Sequence, residues 1–232
     1  MSFPASTLFN WPKSLEIFSR YFPMEEEPWL WLPKIEGALR AIVPTLSGTK
    51  RDIPPGVVVG ENVYIHPSVD LPHVATIQDN IYIGAGTKLK PGAYIRSNVI
   101  IGDRCVVGNS CEVKNVMLLE CVQAPHFNYI GDSILGSSSH LGAGAILSNL
   151  RFDKQSIVIK LPLESYATGL RKVGAFIGDG AQLGCNSVLQ PGTVLGRNAC
   201  VMSVAAYGGF LEDGCTVIPR DRRTTIVSKK KL

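Results

Sequence analysis

Every sixth residue from Val59 is aliphatic over a long stretch: Val59, Ile65, Leu71, Ile77, Ile83, Leu89, Ile95, Ile101, Val107, Val113 and Leu119. Two residues before each of these stand Val57, Val63, Val69, Ala75, Ile81, Thr87, Ala93, Val99, Cys105, Cys111 and Met117, which are mostly small or β-branched. Glycine often follows the aliphatic position, as at Gly60, Gly84, Gly102 and Gly108. Six residues supply one short strand and one turn. The aliphatic side chain points inward and its strand neighbours outward, because strand side chains alternate. Glycine supplies turn conformations closed to residues with a Cβ. Three such strands close a triangular coil of about 18 residues, and coils stack by parallel pairing at about 4.8 Å. The expected fold is all-β, a three-sided parallel solenoid that hides its own core.

The register then slips. It resumes in a new phase at Tyr129, Leu135, Leu141 and Leu147, breaks over residues 149–172, and returns at Ile177, Leu183, Leu189, Leu195 and Val201. The break holds Arg151, Asp153, Lys154, Lys160, Glu164 and Arg171, and reads as a loop ejected from the prism with a strand at 156–160. Long ejected loops in compact domains tend to be functional. Residues 1–50 differ in kind. Trp11, Trp29 and Trp31 sit there with Pro4, Pro12, Pro23, Pro28 and Pro33 as punctuation, and Ser14 to Tyr21 and Leu32 to Val43 have helical apolar spacing. They are expected to form two short helices packed on one end of the prism. Residues 51–203 then make the solenoid, and residues 204–232, where the pattern lapses, its C-terminal cap and basic tail.

Composition narrows the class. Charged residues are only 18%, and 23 glycines and 15 prolines fit many tight turns. The net charge of +4 includes one basic block, Lys229 to Lys231, so nothing marks a nucleic-acid-binding protein. The cysteines, Cys105, Cys111, Cys121, Cys185, Cys200 and Cys215, form no CxxC pair, which argues against a zinc site. Cys105 and Cys111 fall in a repeat slot for small apolar side chains, as buried reduced thiols of a reducing compartment. There is no basic-then-apolar leader and no apolar run of about 18 residues. The expectation is a cytoplasmic protein without a membrane span.

Among four histidines, His66 occupies an outward repeat slot and His73 a turn-like stretch, and both read as surface residues. His126 differs: it ends the first unbroken run of repeats, just after Pro125 replaces an aliphatic. An imidazole with a pKa near ~6.5 is suited to remove a proton near neutrality. Arg96 and Lys114 lie one coil apart. They should present two cations side by side, an arrangement that calls for an anion such as phosphate, the alternative being two solvated charges.

The run Val107-Gly-Asn-Ser-Cys-Glu-Val-Lys-Asn115, then His126-Phe-Asn-Tyr-Ile-Gly-Asp132, then Leu141-Gly-Ala-Gly-Ala145 and Ser148-Asn149, resembles the C-terminal acetyltransferase domain of the bifunctional enzyme that makes UDP-N-acetylglucosamine. It also resembles shorter bacterial homologues labelled as sugar-1-phosphate nucleotidyltransferases or pyrophosphorylases. The resemblance runs without gaps from Arg96 to Asn149 and more weakly to about Ser203. It implies a left-handed parallel β-helix that assembles as a homotrimer with active sites between neighbouring prisms. It implies acetyl-CoA as co-substrate and no metal. The residue matching His126 is then the general base. Those matching Arg96 and Lys114 hold the sugar phosphate, and that matching Tyr129 contacts the sugar. Those matching Ala143, Asn149 and Ser203 lie near the CoA.

Departures cluster at the acceptor. His140 stands where the family has an asparagine that contacts the sugar, and Leu150 where it has a tyrosine. The family's shorter loop places a lysine on the phosphate, for which Lys154 is the candidate here. No Gly-rich nucleotide loop precedes the solenoid, and 50 residues cannot house a nucleotidyltransferase domain. The reading is an N-acetyltransferase acting on an amino-sugar phosphate in nucleotide-sugar synthesis. One alternative is a metal-dependent hydrase on the same scaffold. Its related enzymes carry two histidines five residues apart, a spacing that His126 and His140 do not have. The other is a non-catalytic partner or regulator of a separate nucleotidyltransferase.

Overall fold

The computed structural model describes residues 3–46 and 52–219, so the Lys229 to Lys231 tail lies outside the described residues. Residues from Val57 to Val217 wind a parallel β-solenoid of about nine turns, the left-handed β-helix class expected. Within each coil the chain passes three faces. Face I carries Val57–Val59, Ala75–Ile77 and Ala93–Ile95 and continues to Ala206–Tyr207. Face II runs from Val63–Ile65 through Ile81–Ile83 and Val99–Ile101 to Phe210–Leu211. Face III runs from Lys88–Leu89 through Val106–Asn109, Gln123–His126 and His140–Leu141 to Thr216–Val217. The solenoid thus continues beyond residue 203, where the sixfold pattern weakens to the eye but the ladder does not.

The inward aliphatics predicted from Val59 to Val113 join one axial core. Beyond Val113 the sequence phase fails by one residue. Ile95 pairs with Val113, but Ile101 pairs with Leu118, so Leu118 points inward and Leu119 joins a separate apolar cluster outside the prism. The corner at Lys114–Asn115 has lost one residue. The same shortening recurs in the next coil. Val113 pairs with Ile130 and Leu118 with Leu135, so Ile130, not Tyr129, faces the core. Because these corners are tight, the strands Glu112–Leu118 and Tyr129–Leu135 run unbroken around two faces. The third coil breaks at this same corner with the ejected loop. Leu150 and Lys172 bridge at its neck, and its strand Val158–Lys160 pairs antiparallel with Ser165–Ala167.

The N-terminal segment covers a flank, not an end. Each face II strand turns an apolar residue outward, and the register stacks Tyr64, Tyr82, Ile100, Met117, Ile134, Phe176, Val194 and Phe210 in one column. Such a stripe must be buried. The helix Ile35–Ile42 buries Ile35, Ala38, Leu39 and Ile42, one helical stripe, in the same cluster as these residues. The 3-10 helices Lys13–Tyr21 and Pro28–Lys34 add Phe18 and Trp31. Ile157 and Ile159 of the ejected hairpin join that cluster, and the Tyr166 ring packs tilted against Trp29 at 5.0 Å between ring centroids. Arg197 fastens the layer by donating to the carbonyls of Ser6 and Thr7, each at 3.0 Å.

All six cysteines are free. Cys105 is fully buried, and burial pushes its thiol up to about 12. Alkylation of the native protein near pH 8 should therefore modify exposed Cys185 and Cys215 while sparing Cys105 and Cys111, a pattern peptide mass mapping reads directly.

Candidate functional site

Six of the nine predicted residues fall into two groups at opposite corners of face I, and Tyr129, His140 and Lys154 lie elsewhere. The corner between faces III and I carries the first. His126 pairs with Asn109 below it, and Gly144 N–H donates to the His126 carbonyl at 3.0 Å from the coil above. Register then places Ala143 beside His126, Cys185 above Ala143 and Ser203 above Cys185. His126, Ala143 and Ser203, drawn from three separated stretches of sequence, thus share one edge of the prism. The span is about 15 Å at the usual strand spacing. The His126 ring is exposed and accepts or donates no side-chain hydrogen bond among the described residues, and the Ala143 N–H is likewise unpartnered. Phe127 beside it is held at φ 52° with 57% of its surface exposed, an unfavourable conformation for a bulky residue.

The second group sits at the tightened corner between faces I and II. Arg96 and Lys114 do occupy adjacent coils, but they do not stand as a free cation pair. Arg96 donates to Glu112 at 2.8 Å, and this hydrogen bond raises its guanidinium further above the ordinary value. Lys114 meets Asp132 at 3.1 Å. Asp132 also accepts from Asn115 at 3.0 Å and from Asn149 at 2.6 Å. Its carboxylate is nearly enclosed, with 5% of the side chain accessible. The compensating anions therefore come from the protein. Sequence reading missed both carboxylates, although each lies close to one coil after its cation (Glu112 after Arg96, Asp132 after Lys114). Asp132→Ala would leave a half-buried ammonium and the Asn115 amide without their acceptor and take one of two acceptors from Asn149. It should cost roughly 2–4 kcal/mol in urea unfolding.

Tyr129 lies on face I between the two corners, and its hydroxyl accepts from Asn149 at 3.2 Å. Burial raises its phenol above the usual value, partly opposed by the Asn149 bond. Asn149 is thus committed to Tyr129 and Asp132 rather than turned to the corner with Ala143 and Ser203, where it was expected. His140, expected among the sugar contacts, lies on face III between Gln123 and Gln182. There it lines a groove of about 290 Å³ together with Cys185, Cys200, Met202 and Ser203. Lys154 is exposed in the ejected loop and makes no side-chain hydrogen bond or ion pair among the described residues. Those residues include no group of three or more His, Cys, Asp or Glu side chains placed to hold a metal ion, and no helix long and apolar enough to cross a membrane.

A family model described as the GMPPB C-terminal domain matches residues 77–160, a span containing every predicted site residue except Ser203. The bifunctional protein GlmU of Methanococcus maripaludis strain C5 is 32% identical over 128 residues, covering 54% of this chain and 30% of that protein. The bifunctional sugar-1-phosphate nucleotidylyltransferase/acetyltransferase of Sulfurisphaera tokodaii is 34% identical over 112 residues, covering 46% of this chain and 28% of that protein. The chain thus spans less than a third of the length of these relatives. The crystal structure of a UDP-N-acetylglucosamine acyltransferase superposes with a TM-score of 0.52 at 15% identity, over 74% of this chain and 70% of that one, a likeness of fold. Fold and site together define a hexapeptide-repeat β-solenoid protein. Within that class, the chain resembles the C-terminal acetyltransferase domain of the GlmU-type bifunctional enzymes.

Proposed function

We propose that this chain is an acetyl-CoA-dependent N-acetyltransferase acting on an amino-sugar phosphate of the glucosamine-1-phosphate kind, in nucleotide-sugar synthesis. The observation that carries the reading is the shared edge of His126, Ala143 and Ser203, with an exposed imidazole beside an unpartnered backbone N–H. His126 takes the proton from the acceptor amine as its nitrogen attacks the thioester carbonyl. A C–N bond forms, the C–S bond breaks, and the proton passes on to the departing CoA sulfur. The Ala143 N–H is the donor available to the developing oxyanion. The groove containing His140 and Ser203 receives the CoA chain, and Asn149, bonded to Tyr129 and Asp132, holds the acceptor side instead. Tyr129 faces the sugar. Arg96 keeps most of its five N–H donors free beside Glu112 and, with Lys114 and Lys154, meets the phosphate.

The reading includes a homotrimer in which a neighbouring prism closes each site, a cytoplasmic location in keeping with six free thiols, and product use by a separate nucleotidyltransferase. A second reading has one observation in its favour: Glu112 and Asp132 already neutralise the two cations, as suits a non-catalytic partner of such a nucleotidyltransferase. Calorimetry with acetyl-CoA and a thiol-release assay over a panel of amino-sugar phosphates separate the two. Saturable binding with acceptor-dependent CoA release supports the enzyme, and absence of both supports the partner.

A further inference from the structure

Along the corner between faces III and I, six successive coils each place one residue in a left-handed conformation: Gly92, Ser110, Phe127, Gly144, Asn186 and Val204. The next residue in each coil is buried, and the series reads Ala93, Cys111, Asn128, Ala145, Ser187 and Ala205. Five of the six are Ala, Cys or Ser. The corner itself therefore asks only for a small side chain, and Asn128 alone brings a carboxamide into the slot. It is 2% exposed. Its Oδ1 accepts from the His126 backbone N–H at 3.2 Å. Its Nδ2 donates to the carbonyls of Gly142 at 2.8 Å and Ala145 at 3.3 Å, which bracket Ala143 in the next coil. One rigid amide thus ties the backbone of the imidazole to both ends of the turn that offers the Ala143 N–H.

We infer that Asn128 is a positioning residue that sets His126 relative to the 142–145 turn, an inference that rests on the acetyltransferase reading for its catalytic meaning. Base and oxyanion donor sit on different coils, and beside the Asn128 contacts the bond nearest to both is that from Gly144 N–H to the His126 carbonyl. Loosening that link moves two reacting centres against each other, and a displacement of about 1 Å can cost on the order of a hundredfold in rate. The slot tolerates small residues elsewhere in the column, including Ser187, whose buried hydroxyl has no partner. Asn128→Ser and Asn128→Ala should therefore still fold.

The test compares wild type, Asn128→Ser, Asn128→Ala and His126→Ala in the full chain. For both Asn128 variants the expected result is a fall in kcat of about tenfold or more with KM for acetyl-CoA changed less than about twofold. Amide exchange should accelerate at His126 and Gly144 but not on the far coils of face III. A kcat within twofold of wild type, or unchanged exchange at both amides, overturns the inference. If wild type transfers no acetyl group, the acetyltransferase reading fails instead, and if His126→Ala matches an active wild type, His126 is not the base and Asn128 positions no reacting group. The exchange result then still decides whether Asn128 couples the two coils.

Discussion

His126→Ala is expected to retain the fold and lose acetyl transfer by about 10²–10⁴-fold, the usual contribution of a positioned general base. The ring is exposed and makes no side-chain hydrogen bond among the described residues, so its removal leaves no cavity and no orphaned partner. The melting temperature should stay within about 2 °C of wild type, since surface substitutions away from special features cost under about 0.5 kcal/mol. The loss should fall on kcat and kcat/KM together while acetyl-CoA still binds, because the proton transfer occurs only in the transition state. Rates measured with one amino-sugar phosphate, beside calorimetry with acetyl-CoA, check both halves. A variant with full activity would remove His126 from the chemistry. A variant that no longer binds acetyl-CoA would mean that the imidazole serves the donor and not the amine.

The second large effect is on folding. Gly108 lies directly beneath Pro125, flanked by the pairs Val107 with Ala124 and Asn109 with His126. A Cβ at Gly108 would fall well inside van der Waals contact of the Pro125 carbonyl carbon and oxygen and its Cα. All three are main-chain atoms, held on either side by the parallel ladder, and a close-packed stack has no slack to absorb a methyl group. Gly108→Ala should cost on the order of 4 kcal/mol or more, or leave the protein insoluble, and chemical denaturation measures it. If some protein folds, the strand Gln123–His126 must lift, so transfer activity should fall further than stability alone accounts for. A melting temperature equal to wild type would mean that the coils at Gly108 are not seated as described.

Much of the site depended on one residue more or less per coil. From Val59 to Val113 the period of six was legible because an aliphatic residue recurs at every sixth position without a slip. At Val116-Met117-Leu118-Leu119 and at Tyr129-Ile130 several apolar residues adjoin, so composition accepts either phase. The hydrogen-bond ladder chooses Leu118 and Ile130. The shortened corners this produces hold Lys114, Asn115 and Asp132, and their ion pair and amide contacts follow from that choice.

The chain's own order therefore determined the repeat, the three-sided cross-section, the ejected loop and His126 as its most reactive candidate, because these depend on neighbours within a few residues. The tertiary structure decided which residues share an edge, which cations find carboxylates and where the N-terminal layer lies. Each of those depends on residues 14 to 191 positions apart meeting across stacked coils or between the solenoid and the N-terminal layer. A shift of one position at a single corner would rotate every later side chain to another face.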